Sequence, residues 1–152
     1  MNPQGAQHYL RTRVLTATPE QLQLMLYDGA IRFSEQARPA LEARNWEVSF
    51  NMISRAQKIV AELISSLRHD VDPDMCGRMA ALYNYIYKKM IEANAEHKID
   101  SLDEALRLLR YQRETWALLM EKLTKEKAAA VARKMDVPAP NARMEASLSM
   151  QG

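Results

Sequence analysis

Thr18-Pro19-Glu20-Gln21-Leu22-Gln23-Leu24-Met25-Leu26-Tyr27-Asp28-Gly29 is the stretch that decides the fold class. Thr18 offers a hydroxyl at an N-cap, Pro19 is preset for the first helical position, and Gln21 stands three residues past the cap in capping-box spacing. Leu22, Met25, Leu26, Gly29, Phe33, Ala37 and Leu41 then recur at steps of three and four. One apolar stripe on a helix of about 24 residues, ending near Ala43, is the expectation.

The same pattern repeats downstream. Ile53, Ala56, Val60, Leu63 and Leu67 form a second stripe, which Met52, Ile59 and Ile64 widen enough to imply contact on two sides. His69-Asp70 ends it, and Asp72-Pro73 repeats the cap-plus-proline start. The third stripe is Met75, Met79, Leu82, Ile86, Met90 and Ala93. Ser101-Leu102-Asp103-Glu104 reads as a capping box opening a fourth helix, with stripe Leu102, Ala105, Leu109, Trp116, Leu119 and Leu123 and an extension through the Lys/Ala-rich run to Lys134. Short connections force consecutive helices to be neighbours, so the predicted fold is all-α, an antiparallel four-helix bundle over 18–135. Residues 1–17, with Tyr9, Leu10, Val14 and Leu15 outside the bundle pattern, form an N-terminal arm or cap, either helical or extended. Residues 136–152, broken by Pro138 and Pro140 and without a period, read as a mobile tail.

Composition agrees. The 152 residues are 47% hydrophobic and 26% charged, which suits one globular domain, while only 4 Gly and 6 Pro argue against a turn-dense β-sandwich. The 21 Lys and Arg against 19 Asp and Glu leave a net charge of +2, too little to grip a phosphate backbone, so nucleic acid is not an expected partner. The single Cys76 closes no intrachain disulfide, no signal-peptide pattern opens the sequence, and the best apolar run, Met52 to Ile64, is interrupted by five polar residues. A cytoplasmic protein without membrane insertion is the expectation.

Reactive chemistry has no candidates. A bundle di-metal site needs Glu-x-x-His pairs, and none of His8, His69 and His97 has Glu three residues earlier, so no metal or other cofactor is expected. Cys76 has no nominated base, and Asp70, Asp72 and Asp74 lack the glycine and closing glutamate of a calcium loop. What remains is apolar surface. The chain has 10 Met, whose flexible thioethers suit adaptable contacts, and Tyr83, Tyr85 and Tyr87 cannot all face one core. Wide stripes and a detachable arm suggest a binder of an apolar helix or extended peptide, with no enzymatic role.

The residues that carry a resemblance are Tyr9, Val14, Thr16 to Leu22 and Leu24 to Phe33, then Asn51, Ala56 to Leu63, Leu82 to Tyr87, Glu92-Ala93-Asn94 and Arg113 to Trp116. In order and spacing this set resembles the flagellar secretion chaperone family FliS, over about Tyr9 to Trp116. Asn84 and Arg55 depart from the Asp and Lys that the pattern accepts there, and nothing after Leu123 matches. The resemblance implies a cytoplasmic, non-catalytic chaperone for type III flagellar export. Its partner would be the disordered C-terminal region of flagellin, kept from premature polymerisation and delivered for export, with an export-gate component or a co-chaperone as further partners. On that reading Tyr9, Leu10 and Val14 form an arm that covers an apolar groove until displaced. Ile53, Gln57, Val60, Ile64, Tyr83 and Tyr87 wall the grooves. A self-associating structural or regulatory bundle is the competing expectation.

Overall fold

Four caps set the starts of the first four helices in the computed structural model, which describes residues 2–136. Asn2 accepts from the Gln4 amide and opens α1 (Pro3–Thr16). Thr18 opens α2 (Pro19–Glu42) with both capping-box bonds made: the Gln21 amide donates to Thr18 Oγ1 at 3.1 Å and the Thr18 amide to Gln21 Oε1 at 3.0 Å. Asn45 opens α3 (Trp46–Ser65), and Asp72, accepting from the Met75 amide at 3.1 Å, opens α4 (Pro73–Glu96). His97, in the left-handed conformation at φ 56°, ends α4, and α5 (Ile99–Asp136) follows. No strand occurs among the described residues. The chain divides into two units, Met1–Trp116 and Ala117–Gly152. Apart from Asp136, the last residue of α5, the predicted tail lies outside the described residues.

In the first unit α2 to α5 form the expected antiparallel bundle. Gly29 faces Ile59 and Phe33 faces Arg55, so α2 and α3 run in opposite directions. A Cβ on Gly29 would stand 3.1 Å from Ile59 Cδ1, and Ala30, Ser34 and Ala37 continue this close approach of backbones. Asn94 Nδ2 reaches Ser54 Oγ at 3.4 Å and Trp46 stacks on His97, which ties α3 to α4. A polar ladder joins α2 to α5. Arg38 donates to both carboxylate oxygens of Asp103 (2.7 and 3.1 Å), Arg110 meets Glu35 at 3.0 Å, Arg113 meets Asp28 at 2.9 Å, and the Trp116 indole N–H donates to the Glu20 carbonyl at 3.0 Å. These pairs are solvent-exposed and therefore fix register more than they add stability. Stability rests on the fully enclosed Ile53, Val60, Leu63, Ile86, Met90, Leu102 and Leu109, each contributing about 1.5–3 kcal/mol on burial.

Several expectations are corrected by the packing. On α2 the buried arc is Tyr27, Gly29, Ala30, Ser34, Ala37, Ala40 and Leu41, while Leu22 is exposed and Met25, Leu26 and Phe33 are half-buried. Small residues let α3 close in and turn the helix away from its bulkiest stripe. On α4, Cys76 and Tyr83 take the core places expected of Met75 and Leu82. Pro39 lies inside α2 on its exposed side, where water can satisfy the carbonyl that lost its partner. Ser101 is not a cap: α5 starts at Ile99, and the buried Ser101 hydroxyl donates to Glu92 Oε2 at 3.1 Å. Residues 1–17 contain a 14-residue helix, α1, none of whose residues is buried. In the second unit Leu119 and Leu123, expected on the inward stripe, are exposed.

The ion pairs give a pH dependence with a definite sign. The Arg38 guanidinium holds Asp103 below the usual carboxylate range, Lys89 and Ser101 do the same for Glu92, and Arg107 for Glu104. Carboxylates depressed in the folded state give stability that is present above their unfolded pKa and lost as pH falls through the folded one. The melting temperature is therefore expected to be level near neutrality and to fall below about pH 4–5. Thermal melts from pH 7 to pH 3 check this; a flat profile would show that the pairs do not distinguish folded from unfolded chain.

Candidate functional site: an apolar seam on α3 and α4

The contact between Ser54 and Asn94 locates a surface seam. Counting from Ser54 in helical steps puts Phe50, Gln57 and Ile64 on one side; counting from Asn94 puts Tyr87 and Ile91 on the other. Antiparallel pairing sets Gln57 opposite Ile91, and Trp46 stacked on His97 at 3.9 Å closes one end. Phe50 is 58% exposed, Ile91 46% and Trp46 41%, while Ile64 and Tyr87 are half-buried with their inner edges on the core. Apolar side chains thus reach the solvent in a row along the two helices, with Gln57, Ser54 and Asn94 supplying amide and hydroxyl groups among them. Such a surface can take the apolar face of another helix and hydrogen-bond its polar edge.

The structure sorts the sequence-predicted residues into three groups. Gln57, Ile64 and Tyr87 come together on the seam. Tyr9, Leu10 and Val14 are exposed on α1. Ile53, Val60 and Tyr83 are corrected: all three are fully enclosed and line the core, not a groove. Tyr83 is held there by its hydroxyl, which pairs with the Tyr27 hydroxyl, and Gln23 Nε2 donates to both at 3.2 and 3.3 Å. Burial first, and then the Tyr27 bond, push the Tyr83 phenol well above its ordinary pKa, so it stays protonated. Trp46, Phe50 and Ile91 were not picked out from the sequence. The available signal was that each is a large apolar residue off the inward stripe.

No group of three or more Asp, Glu, His or Cys suited to a metal occurs among the described residues. The Cys76 thiol is buried and donates to the Arg68 carbonyl at 3.1 Å. No helix of the described residues is long and apolar enough to cross a membrane. Fold and surface together define an antiparallel helical bundle whose chemical feature is unpaired apolar side chains.

Comparison with known proteins gives that class its family. The family model described as flagellar protein FliS matches residues 1–132. The flagellar secretion chaperone FliS of Bacillus subtilis strain 168 is 30% identical over 126 residues, 83% of this chain and 92% of that protein. The flagellar secretion chaperone FliS of Escherichia coli K12 is 25% identical over 112 residues, 73% and 82% respectively. A crystal structure of a flagellar chaperone from bacteria superposes with a TM-score of 0.64 at 17% identity, covering 78% of this chain and 97% of that one, which supports the fold. The chain belongs to the flagellar chaperone family FliS.

Proposed function

We propose that this chain is a cytosolic export chaperone that binds the C-terminal region of flagellin, keeps it from polymerising and hands it on for export without chemical change. The observation that carries the reading is the row of solvent-exposed apolar side chains along α3 and α4, in a protein whose relatives are named flagellar secretion chaperones. A disordered segment that folds into an amphipathic helix would place anchors at i, i+3, i+4 and i+7 along Phe50, Ile64, Tyr87 and Ile91, with Gln57 on its polar edge. Tyr9, Leu10 and Val14 on α1 give the client a second apolar face. Ordering the client costs a few kcal/mol, so the contact must be broad, on the order of 1,000–3,000 Å², and remains reversible for release. Export-gate components or a co-chaperone would then meet the loaded complex.

Calorimetric titration with a peptide covering the C-terminal region of flagellin tests the proposal. Saturable binding with a negative heat-capacity change is expected, because apolar area leaves water. Absence of saturable heat at micromolar concentrations would overturn it.

A further inference from the structure

We propose that Arg32 and Arg55 form a carboxylate clamp on the outer face between α2 and α3, which receives an acidic residue from an amphipathic helix of a protein partner other than the client. The first observation is convergence. Arg32 on α2 and Arg55 on α3 each set the guanidinium over the same ring, 5.4 and 5.6 Å from the Phe33 centroid, and Phe33 is half-buried and packed against the core. A ring anchored in this way orients both planar forks, and a guanidinium fork is shaped to hold a carboxylate through parallel N–H donors. The second observation is that neither arginine has a counter-charge. Arg32 stands one helical turn from Asp28 and from Glu35, yet those carboxylates are taken by Arg113 at 2.9 Å and Arg110 at 3.0 Å on α5. One turn from Arg55 stand Asn51, Met52, Lys58 and Ile59, none of them acidic, and Glu62 on the same side of α3 is about 10 Å further along the helix. Among the described residues neither Arg32 nor Arg55 makes an ion pair.

The third observation is the apolar frame around the clamp, which with the charge fixes the occupant. Steps of four and three from Val48 reach Met52, Arg55 and Ile59 on α3, and Leu22 and Phe33 border them on α2. Val48 is 40% and Leu22 36% exposed, while Met52 and Ile59 are half-buried. A helix laid along this row would bury apolar side chains at both ends and bring its middle over the two arginines. There an aspartate or glutamate makes charge-assisted hydrogen bonds, whereas a neutral or basic side chain leaves two desolvated cations without a partner. The face is distinct from the seam: Arg55 and Gln57 are two residues apart and so point about 160° apart around α3, which lets one side fill while the other is occupied. This inference is independent of the flagellin reading, since it needs only the two arginines and their frame.

Fluorescence anisotropy of the full chain with a labelled peptide of about 15 residues, long enough to hold a helix, tests it. The peptide has leucine and alanine on one face, glutamine on the other, and a single glutamate at the centre of the apolar face. It is expected to bind about tenfold or more tightly than the same peptide with glutamine at that position, and the gap is expected to shrink at high salt. Arg32→Gln with Arg55→Gln is expected to abolish the gap without moving the melting temperature, because both side chains are exposed. Arg32→Glu with Arg55→Glu is expected to prefer the peptide with lysine at the centre. Phe50→Asp, on the seam, and an excess of the flagellin C-terminal peptide are each expected to leave the glutamate peptide bound. Equal affinity for the glutamate and glutamine peptides, or a gap that survives loss of both arginines, would overturn the clamp. Displacement by the flagellin peptide would assign this face to the client and overturn the separate partner.

Discussion

Phe50→Asp is expected to lower affinity for a flagellin C-terminal peptide by about 30-fold or more, equivalent to about 2 kcal/mol, while the melting temperature stays nearly constant. The expected separation follows from where the side chain lies. Phe50 is more than half exposed on α3, so replacing it removes little packing from the bundle, and exposed substitutions of this kind usually move stability by about 0.5 kcal/mol or less. In a complex the same ring would be a large anchor on the seam, where truncation is costly and a buried carboxylate adds a desolvation penalty. Ile91→Asp, on the opposite side of the seam, is expected to behave alike. Calorimetry beside thermal melts reads both quantities. Unchanged affinity in both variants would remove the α3–α4 seam from the client site, even if the peptide binds elsewhere.

Tyr83→Ala should show the opposite pattern, a loss of about 3–5 kcal/mol in folding stability, or roughly 10–20 °C in melting temperature. The ring is enclosed between α2 and α4, its centroid 6.4 Å from that of Tyr27, so its removal leaves a cavity and strands the Tyr27 hydroxyl with Gln23 alone. Tyr83→Phe keeps the ring and removes only the hydroxyl; about 1–2 kcal/mol is expected from the weakened cluster. Adding Tyr27→Phe should cost less than the sum of the single changes, since the two hydroxyls are each other's partners. Denaturant melts of the four proteins measure the coupling. A Tyr83→Ala chain that melts like the unmodified protein but loses client would return Tyr83 to a groove wall.

Reading the sequence alone located the helices well, because their starts are local chemistry. A hydroxyl or carboxylate before proline needs no distant partner to cap a helix, and both Thr18-Pro19 and Asp72-Pro73 act as their spacing suggests. Ser101 has capping-box spacing to Glu104 and does something else, since Glu92 near the end of the preceding helix lies within reach of its hydroxyl. The candidate site was legible only in part. Gln57, Ile64 and Tyr87 were found on the flank of the stripes, but Phe50 and Ile91 went unnoticed, because an apolar residue off the inward face acquires meaning only from the helix beside it.

Sequence by itself determined that this chain is helical, where its helices begin and that they alternate in direction, since caps, periodicity and short connections are properties of neighbouring residues. Only the tertiary structure decided which arc of each helix is enclosed. That choice depends on how closely two backbones approach, and on α2 it is Gly29, Ala30, Ser34 and Ala37 that permit α3 to come near. The resulting rotation draws Tyr27 and Tyr83 inward and leaves Phe50 and Ile91 outside, where a partner can reach them.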